Sequence, residues 1–161
     1  MNKLILMMCL LFATIGNAMG QTGEADRLLG TYMTEGNKGK VTIEKSGDVY
    51  FGKLVWSVTK GAVDKNNPVK SERTKKLVGK TILTGFKYAG KNVWEDGKIY
   101  DPENGKTYSC KITLKANGDI TVRGFIGISL LGRNTTWKRV NYKHPKKKHK
   151  IKEKVLKEKP H

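Results

Sequence analysis

Histidine is missing from almost the whole of this chain. The three that occur, His144, His149 and His161, all lie beyond residue 143. Everything before them therefore lacks the imidazole needed for a Ser-His-acid or Cys-His triad and for the usual zinc ligand sets. Cysteine is nearly as scarce, with Cys9 and Cys110 only. Acidic residues number 14 against 32 Lys and Arg, a net charge of +18. Asp96, Asp101 and Glu103 cluster in sequence. Paired carboxylates can serve glycoside chemistry or bind calcium, but Asp101-Pro102 and Asp96-Gly97 read as turn residues. No catalytic residue, cofactor or metal ligand is assigned.

Long apolar runs are also lacking, apart from the first. Lys3 precedes a dozen nearly all apolar residues over 4–15, and Ala18-Met-Gly20 supplies small residues at a cleavage-like spacing. This reads as a signal peptide over 1–20, removed on export. The run is too short to cross the roughly 30 Å hydrocarbon layer as a helix. Cys9 sits inside it after Met7-Met8, not after the small residues that precede a lipid-modified cysteine. Cleavage leaves one domain's worth of chain, with Cys110 as its single thiol and hence no internal disulfide.

Removing Lys3 leaves +17, of which +7 falls in residues 143–161, where nine Lys face Glu153 and Glu158. Polyanions are the expected partner class for such a surface. The tail reads as a solvated, disordered segment. The spacing of Ile151, Val155 and Leu156 permits a short amphipathic helix as the alternative.

Helical periodicity is nearly absent from 29–140, while alternation and turn signals recur every ten residues or so. Strands are expected over 29–34, 40–44, 48–58, 81–88, 107–115, 119–126 and 135–140, with short pieces at 93–94 and 98–100. Residues 107–115 alternate most cleanly, with Tyr108, Cys110, Ile112 and Leu114 on one face. On 48–58, Tyr50, Gly52, Leu54, Trp56 and Val58 share a face. A polar connection over 59–79 holds six Lys or Arg against Asp64 and Glu72. Loops of this length usually have a function or a short helix of their own. The Gly-rich segment 124–132 lacks the Lys-Ser/Thr of a phosphate loop and reads as bulges and close backbone approach, with 127–132 as a link. About eight antiparallel strands joined by short turns either close into a barrel or pack as a sandwich.

In order, the chain shows Gly30-Thr-Tyr32, Gly52-Lys-Leu-Val-Trp56, Asp64-Lys-Asn-Asn-Pro68, Gly79, Ile99-Tyr-Asp-Pro-Glu-Asn-Gly-Lys-Thr-Tyr108, Val122-Arg-Gly-Phe-Ile-Gly127 and Leu131-Gly-Arg-Asn-Thr-Thr-Trp-Lys-Arg-Val140. This series resembles the bacterial exported family known as domain of unknown function 2147, over essentially all of 21–142. The resemblance implies an all-β fold, an antiparallel up-and-down lipocalin-like β-barrel of about eight strands, in the bacterial cell envelope, periplasmic or secreted. It implies no established activity. Many members carry Cys where this chain has Phe51 and Val78, so the disulfide implied for them is absent here. Lipocalins set an aromatic from a Gly-x-Trp motif against an Arg near the last strand. Gly30, Tyr32 and Arg139 are the matching barrel-closing residues, and Arg on an aromatic face contributes roughly 0.5–2 kcal/mol.

Two functions from different classes follow. In the first, the barrel binds a small apolar or amphipathic ligand. Trp56, Tyr100, Tyr108 and Trp137 form its wall and Arg123 is the polar anchor. In the second, a solid barrel serves as an envelope structural or interaction protein. Its basic surface, the 59–79 connection and the tail then hold it to anionic lipid or wall polymer. Nucleic acid is the weaker partner class, because export removes the chain from most of it. Catalysis is not expected.

Overall fold

Alternating side chains and φ-positive turns generate eight antiparallel strands. The computed structural model describes residues 23–128 and 130–141; the expected signal peptide over 1–20 and the whole Lys-rich tail over 143–161 lie outside them. The strands are β1 (Gly30–Met33), β2 (Gly39–Ser46), β3 (Val49–Ser57), β4 (Thr81–Gly90), β5 (Val93–Asp101), β6 (Lys106–Leu114), β7 (Ile120–Phe125) and β8 (Gly132–Arg139). Each pairs with the next, and β8 returns to β1 through Tyr32↔Arg139 and Met33↔Lys138, closing the barrel. Closure settles the choice between barrel and sandwich and leaves no open sheet edge. The β4–β5 hairpin shows why it forms locally. Lys91 and Asn92 both take left-handed φ, 50° and 60°, as a two-residue primed turn requires.

In an up-and-down barrel the connections alternate between two ends. The segments 34–38, 58–80 and 102–105, with residues 126–128 and 130–131, gather at one end. The turns after β2, β4 and β6 gather at the other, beside the 3-10 turn Asp26–Leu28. The core fills the second end. Leu28, Tyr32, Val41, Ile43, Tyr50, Phe86, Trp94, Ile112 and Ile120 are all buried there. Trp94 packs edge-on to Tyr50, with ring centres 6.2 Å apart, and against Tyr88 at 5.0 Å. Gly97 makes room for this core, since a Cβ there would lie 2.3 Å from the Phe86 ring.

Two expectations about strand detail are corrected. Asp96-Gly97 is not a turn between two short strands. Asp96 takes φ 62° inside a continuous β5, and the pairing with β6 shifts between Trp94 and Gly97, so the pair forms a bulge. A second bulge lies in β3. Val41 pairs with Leu54 but Lys40 pairs with Trp56, so Val55 is an extra residue. Beyond it the alternation inverts, and Trp56 does not share the buried face of Tyr50, Gly52 and Leu54.

Candidate functional site

The first end of the barrel is hollow. A cup of about 1640 Å³ opens there, walled by Leu54, Ile82, Ile99, Tyr108, Val122 and Trp137. It exceeds the ~300–1,000 Å³ of a typical small-molecule pocket because it takes in the open mouth between the loops. None of the core residues named for the closed end borders it. The barrel is thus neither wholly solid nor wholly empty.

The cup's wall comes from ordinary strand alternation, adjusted by a bulge. Gly52 pairs with Leu83 and Lys53 with Thr81, which leaves Ile82 as an extra residue on β4. Ile82 and Leu83 are consequently both buried, and Ile82 lines the cup. Trp137 is buried on the wall, and its indole N–H donates to Thr135 Oγ1 at 3.1 Å. Tyr108 pairs with Ile99 across β5–β6 and so shares its face, while its hydroxyl accepts from Asn104 Nδ2 at 2.9 Å. The charged groups that border the cup, Glu35, Lys38, Lys65, Asp101, Glu103 and Arg133, belong to the rim loops or the strand ends beside them.

The 58–80 connection is a built structure. It contains the 3-10 turn Lys70–Glu72 and a bridge pairing Val63 with Lys76. At its centre Asp64 is completely buried. The carboxylate accepts from Tyr100 Oη at 2.5 Å and Asn67 Nδ2 at 2.6 Å, and pairs with Lys80 Nζ at 2.9 Å. The Lys80 ammonium also lies 5.1 Å from the centre of the Tyr100 ring. Burial by itself would raise the Asp64 pKa. The three donors outweigh that and hold the carboxyl below the usual carboxylate range. Burial, then the bond to Asp64, pushes the Tyr100 hydroxyl up to about 12. Asn66 Nδ2 ties the same connection to the β5–β6 turn, donating to the carbonyls of Pro102 at 3.1 Å and Glu103 at 2.8 Å. Gly105 in that turn has φ 70°, and a Cβ there would lie 1.9 Å from the Asn66 carbonyl oxygen. The Asn-Gly turn is therefore also the seat of the 58–80 connection.

Opposite the mouth, Arg139 occupies the closed end. Its guanidinium lies 4.9 Å from the centre of the Tyr32 ring. It donates to the carbonyls of Leu29 at 3.0 Å and Gly118 at 3.1 Å, and also to the Arg27 carbonyl and Tyr32 Oη. A Cβ at Gly30 would come 3.1 Å from Arg139 Nη1. Gly30, Tyr32 and Arg139 thus meet at one place, where a planar five-donor head satisfies carbonyls that the barrel end leaves over.

The five residues expected on a ligand wall are divided by the structure. Tyr108 and Trp137 face the cup. Tyr100 borders it, but its pairing with Thr107 sets it on the opposite sheet face from Ile99 and Tyr108, and its hydroxyl is bound to Asp64. Trp56 is turned outward by the β3 bulge, where it is 40% exposed beneath the Lys40 ammonium. Arg123 is also outside the cup. It donates to Asn134 Oδ1 at 2.8 Å and the Leu130 carbonyl at 3.2 Å, bracing the β7–β8 loop. Its inward neighbours Val122 and Gly124 take the wall positions. Asp64 was not among the expected site residues; its only signal is its place at the head of Asp64-Lys-Asn-Asn-Pro68 in a basic connection. Cys110 is buried, and burial pushes its thiol up to about 12, away from nucleophilic character.

Comparison with solved structures places protein HP1028 from the human pathogen Helicobacter pylori beside this chain. That protein is described as belonging to the lipocalin family. The two are 27% identical, the match covers 70% of this chain and 82% of the other, and the TM-score is 0.66. The barrel is lipocalin-like, a fold associated in general with holding one small hydrophobic ligand. Comparison with curated proteins gives no match. The sequence pattern of the family described as "uncharacterized protein conserved in bacteria (DUF2147)" matches residues 30–139, the whole barrel from the first residue of β1 to the last of β8, and the chain belongs to that family.

Proposed function

We propose that this protein is an exported carrier that binds one small apolar or amphipathic molecule in its cup, and is not an enzyme. The observation that carries the reading is the division of the barrel into a packed closed end and a hollow, largely apolar upper half. Burial of a hydrocarbon chain against Leu54, Ile82, Ile99, Val122 and Trp137 would contribute roughly 25 cal/mol per Å² of apolar surface. The charged side chains stand only at the rim, so an amphipathic ligand fits with its apolar end inward and its polar end at the mouth. Export rests on the signal-peptide pattern of residues 1–20, and the bacterial envelope on the family. The absence of histidine before residue 144 and the buried, proton-retaining Cys110 support binding over catalysis.

Native mass spectrometry of protein purified from its own host tests the reading. A single small apolar molecule per chain is expected. Gly124→Leu supplies the control. A Cβ at Gly124 makes only ordinary contacts, 3.5 Å to Ile99 Cγ2 and 3.8 Å to Tyr108 Cβ, so the backbone accepts a side chain there that projects into the cup, and an unchanged urea midpoint checks that the variant folds. The adduct should disappear in that variant. Preparations that are always empty, or an adduct that Gly124→Leu leaves unchanged, overturn the proposal.

A further inference from the structure

We infer that the mouth of the barrel is a docking surface for an anionic lipid bilayer, with the β7–β8 loop entering the headgroup layer. The loop residues Ile126, Ile128, Leu130 and Leu131 are 69%, 61%, 82% and 75% exposed, the most exposed large apolar group among the described residues. Between Arg123 and Arg133 the sequence has no charge to keep such a loop in water. Single exposed apolar residues are ordinary, but a contiguous group on one loop marks an interaction surface. Across the mouth, Val58 and Val63 are also exposed, at the start of the 58–80 connection. The same six-membered fringe, Ile128 apart, borders the cup.

Charge selects the occupant. Lys60 and Lys65 stand exposed beside Val58 and Val63, and no carboxylate pairs with either among the described residues. Of the rim acids, Glu35 and Glu103 are matched by Arg133 at 3.6 Å and Lys38 at 2.5 Å, and Asp101 accepts within its own turn from the Glu103 N–H at 2.9 Å and Asn104 Nδ2 at 3.0 Å. Residues 59–79 carry six Lys or Arg against two acids. Apolar tips amid uncompensated lysines suit a bilayer with anionic headgroups, where side chains enter the interface and cations remain at the phosphates. A second copy of this chain would bring the same lysines against each other. Arg123 gives the loop a stiff base, because its guanidinium holds both the Leu130 carbonyl and Asn134.

Docking is independent of what the cup holds, so its test uses no cup ligand. Leu130→Cys in the mature chain, residues 21–161, is labelled with an environment-sensitive nitrobenzoxadiazole group; the buried Cys110 does not compete. The mature chain is mixed with vesicles of phosphatidylcholine alone or with 30 mol% phosphatidylglycerol. A blue shift and gain in emission are expected on the anionic vesicles, reduced by salt. Binding of the unlabelled chain should weaken at least tenfold in Leu130→Asp/Leu131→Asp, and severalfold in Lys60→Gln/Lys65→Gln. Gly124→Leu should bind vesicles like the parent, which separates failure of docking from failure of the cup. Vesicle binding that leaves the label in water would show tethering by the Lys-rich tail alone and overturn the inference. A shift that appears with protein concentration and without lipid would assign the loop to self-association and overturn it too.

Discussion

The barrel uses the same three residue types at both ends, in different settings. At the closed end Asp26 accepts from Tyr50 Oη at 2.7 Å and Lys45 Nζ at 2.8 Å, and the ammonium lies 5.5 Å from the Tyr50 ring centre. At the open end Asp64 is held by Tyr100 and Lys80 in nearly the same arrangement. The Asp26 side chain is 42% exposed, and Asp64 is wholly buried. In water such a cluster is screened and contributes little. Out of water, removing one partner strands the others without solvent. The closed end does not need its cluster, since aromatic packing and Arg139 hold it. The open end has a cavity where a core would be, so the buried cluster is what fixes the 58–80 connection over the mouth.

The comparison is broken most severely at Arg139. Arg139→Ala removes donors from three barrel-end carbonyls and uncovers the Tyr32 ring. A loss of about 3 kcal/mol in urea unfolding is expected. Arg139→Lys should recover only part of it, because an ammonium cannot reproduce the fork. Asp64→Asn comes next. It sets an amide N–H₂ against two donors, Asn67 Nδ2 and Lys80 Nζ. About 2 kcal/mol of local stability should be lost. Hydrogen exchange should show it first at the Asp64 and Leu77 amides, which donate to Lys75 and Ala62 within the connection. The strands of the closed end should keep their protection.

Titration sharpens the same contrast. Asp64 is more acidic folded than unfolded, so its contribution is complete above the ordinary value of 3.8 and is lost as pH falls through the lower folded value. Tyr100 is pushed up to about 12, so the folded state keeps its proton. That contribution is complete below pH 10 and disappears as pH rises from 10 to 12. Protection of the 58–80 amides should therefore form a plateau with both edges, followed by hydrogen exchange across pH. Tyr50, also raised to about 12, gives the closed end a similar alkaline edge in Tyr absorbance, so exchange at 58–80 is the discriminating readout. Asp26→Asn should be the mildest change, within the error of denaturant unfolding. A loss at Asp26 equal to that at Asp64 would undo the argument from burial.

Much of the architecture was written locally. On β6, Cys110, Ile112 and Leu114 are buried in alternation as the pattern requires, and Tyr108 stays on the same face at the cup wall. Turn residues at 47, 91–92 and 117–118 mark three hairpins at the closed end. The site was less legible. Tyr108 and Trp137 follow from strand phase alone. Trp56 fails because Val55 is an unpaired extra residue, and a bulge is decided by which partner lies across the ladder. Arg123 fails for the complementary reason: its strand keeps phase, and the inward face belongs to Val122 and Gly124. The burial of Asp64 was unreadable because its partners Tyr100 and Lys80 lie 36 and 16 residues away in sequence.

The sequence by itself determined about eight antiparallel strands, most of their turns and the resemblance to the family; closure into a barrel came with the pairing of β8 to β1. The strands and turns depend on side-chain period and on φ-positive residues, which neighbours along the chain specify. Tertiary structure alone decided that one half of the barrel is packed and the other hollow. It also decided that an acid in a basic loop is buried, and that the link after β7 carries an exposed apolar fringe. Those properties depend on bulge register and on contacts between loops, which exist only once the barrel has closed.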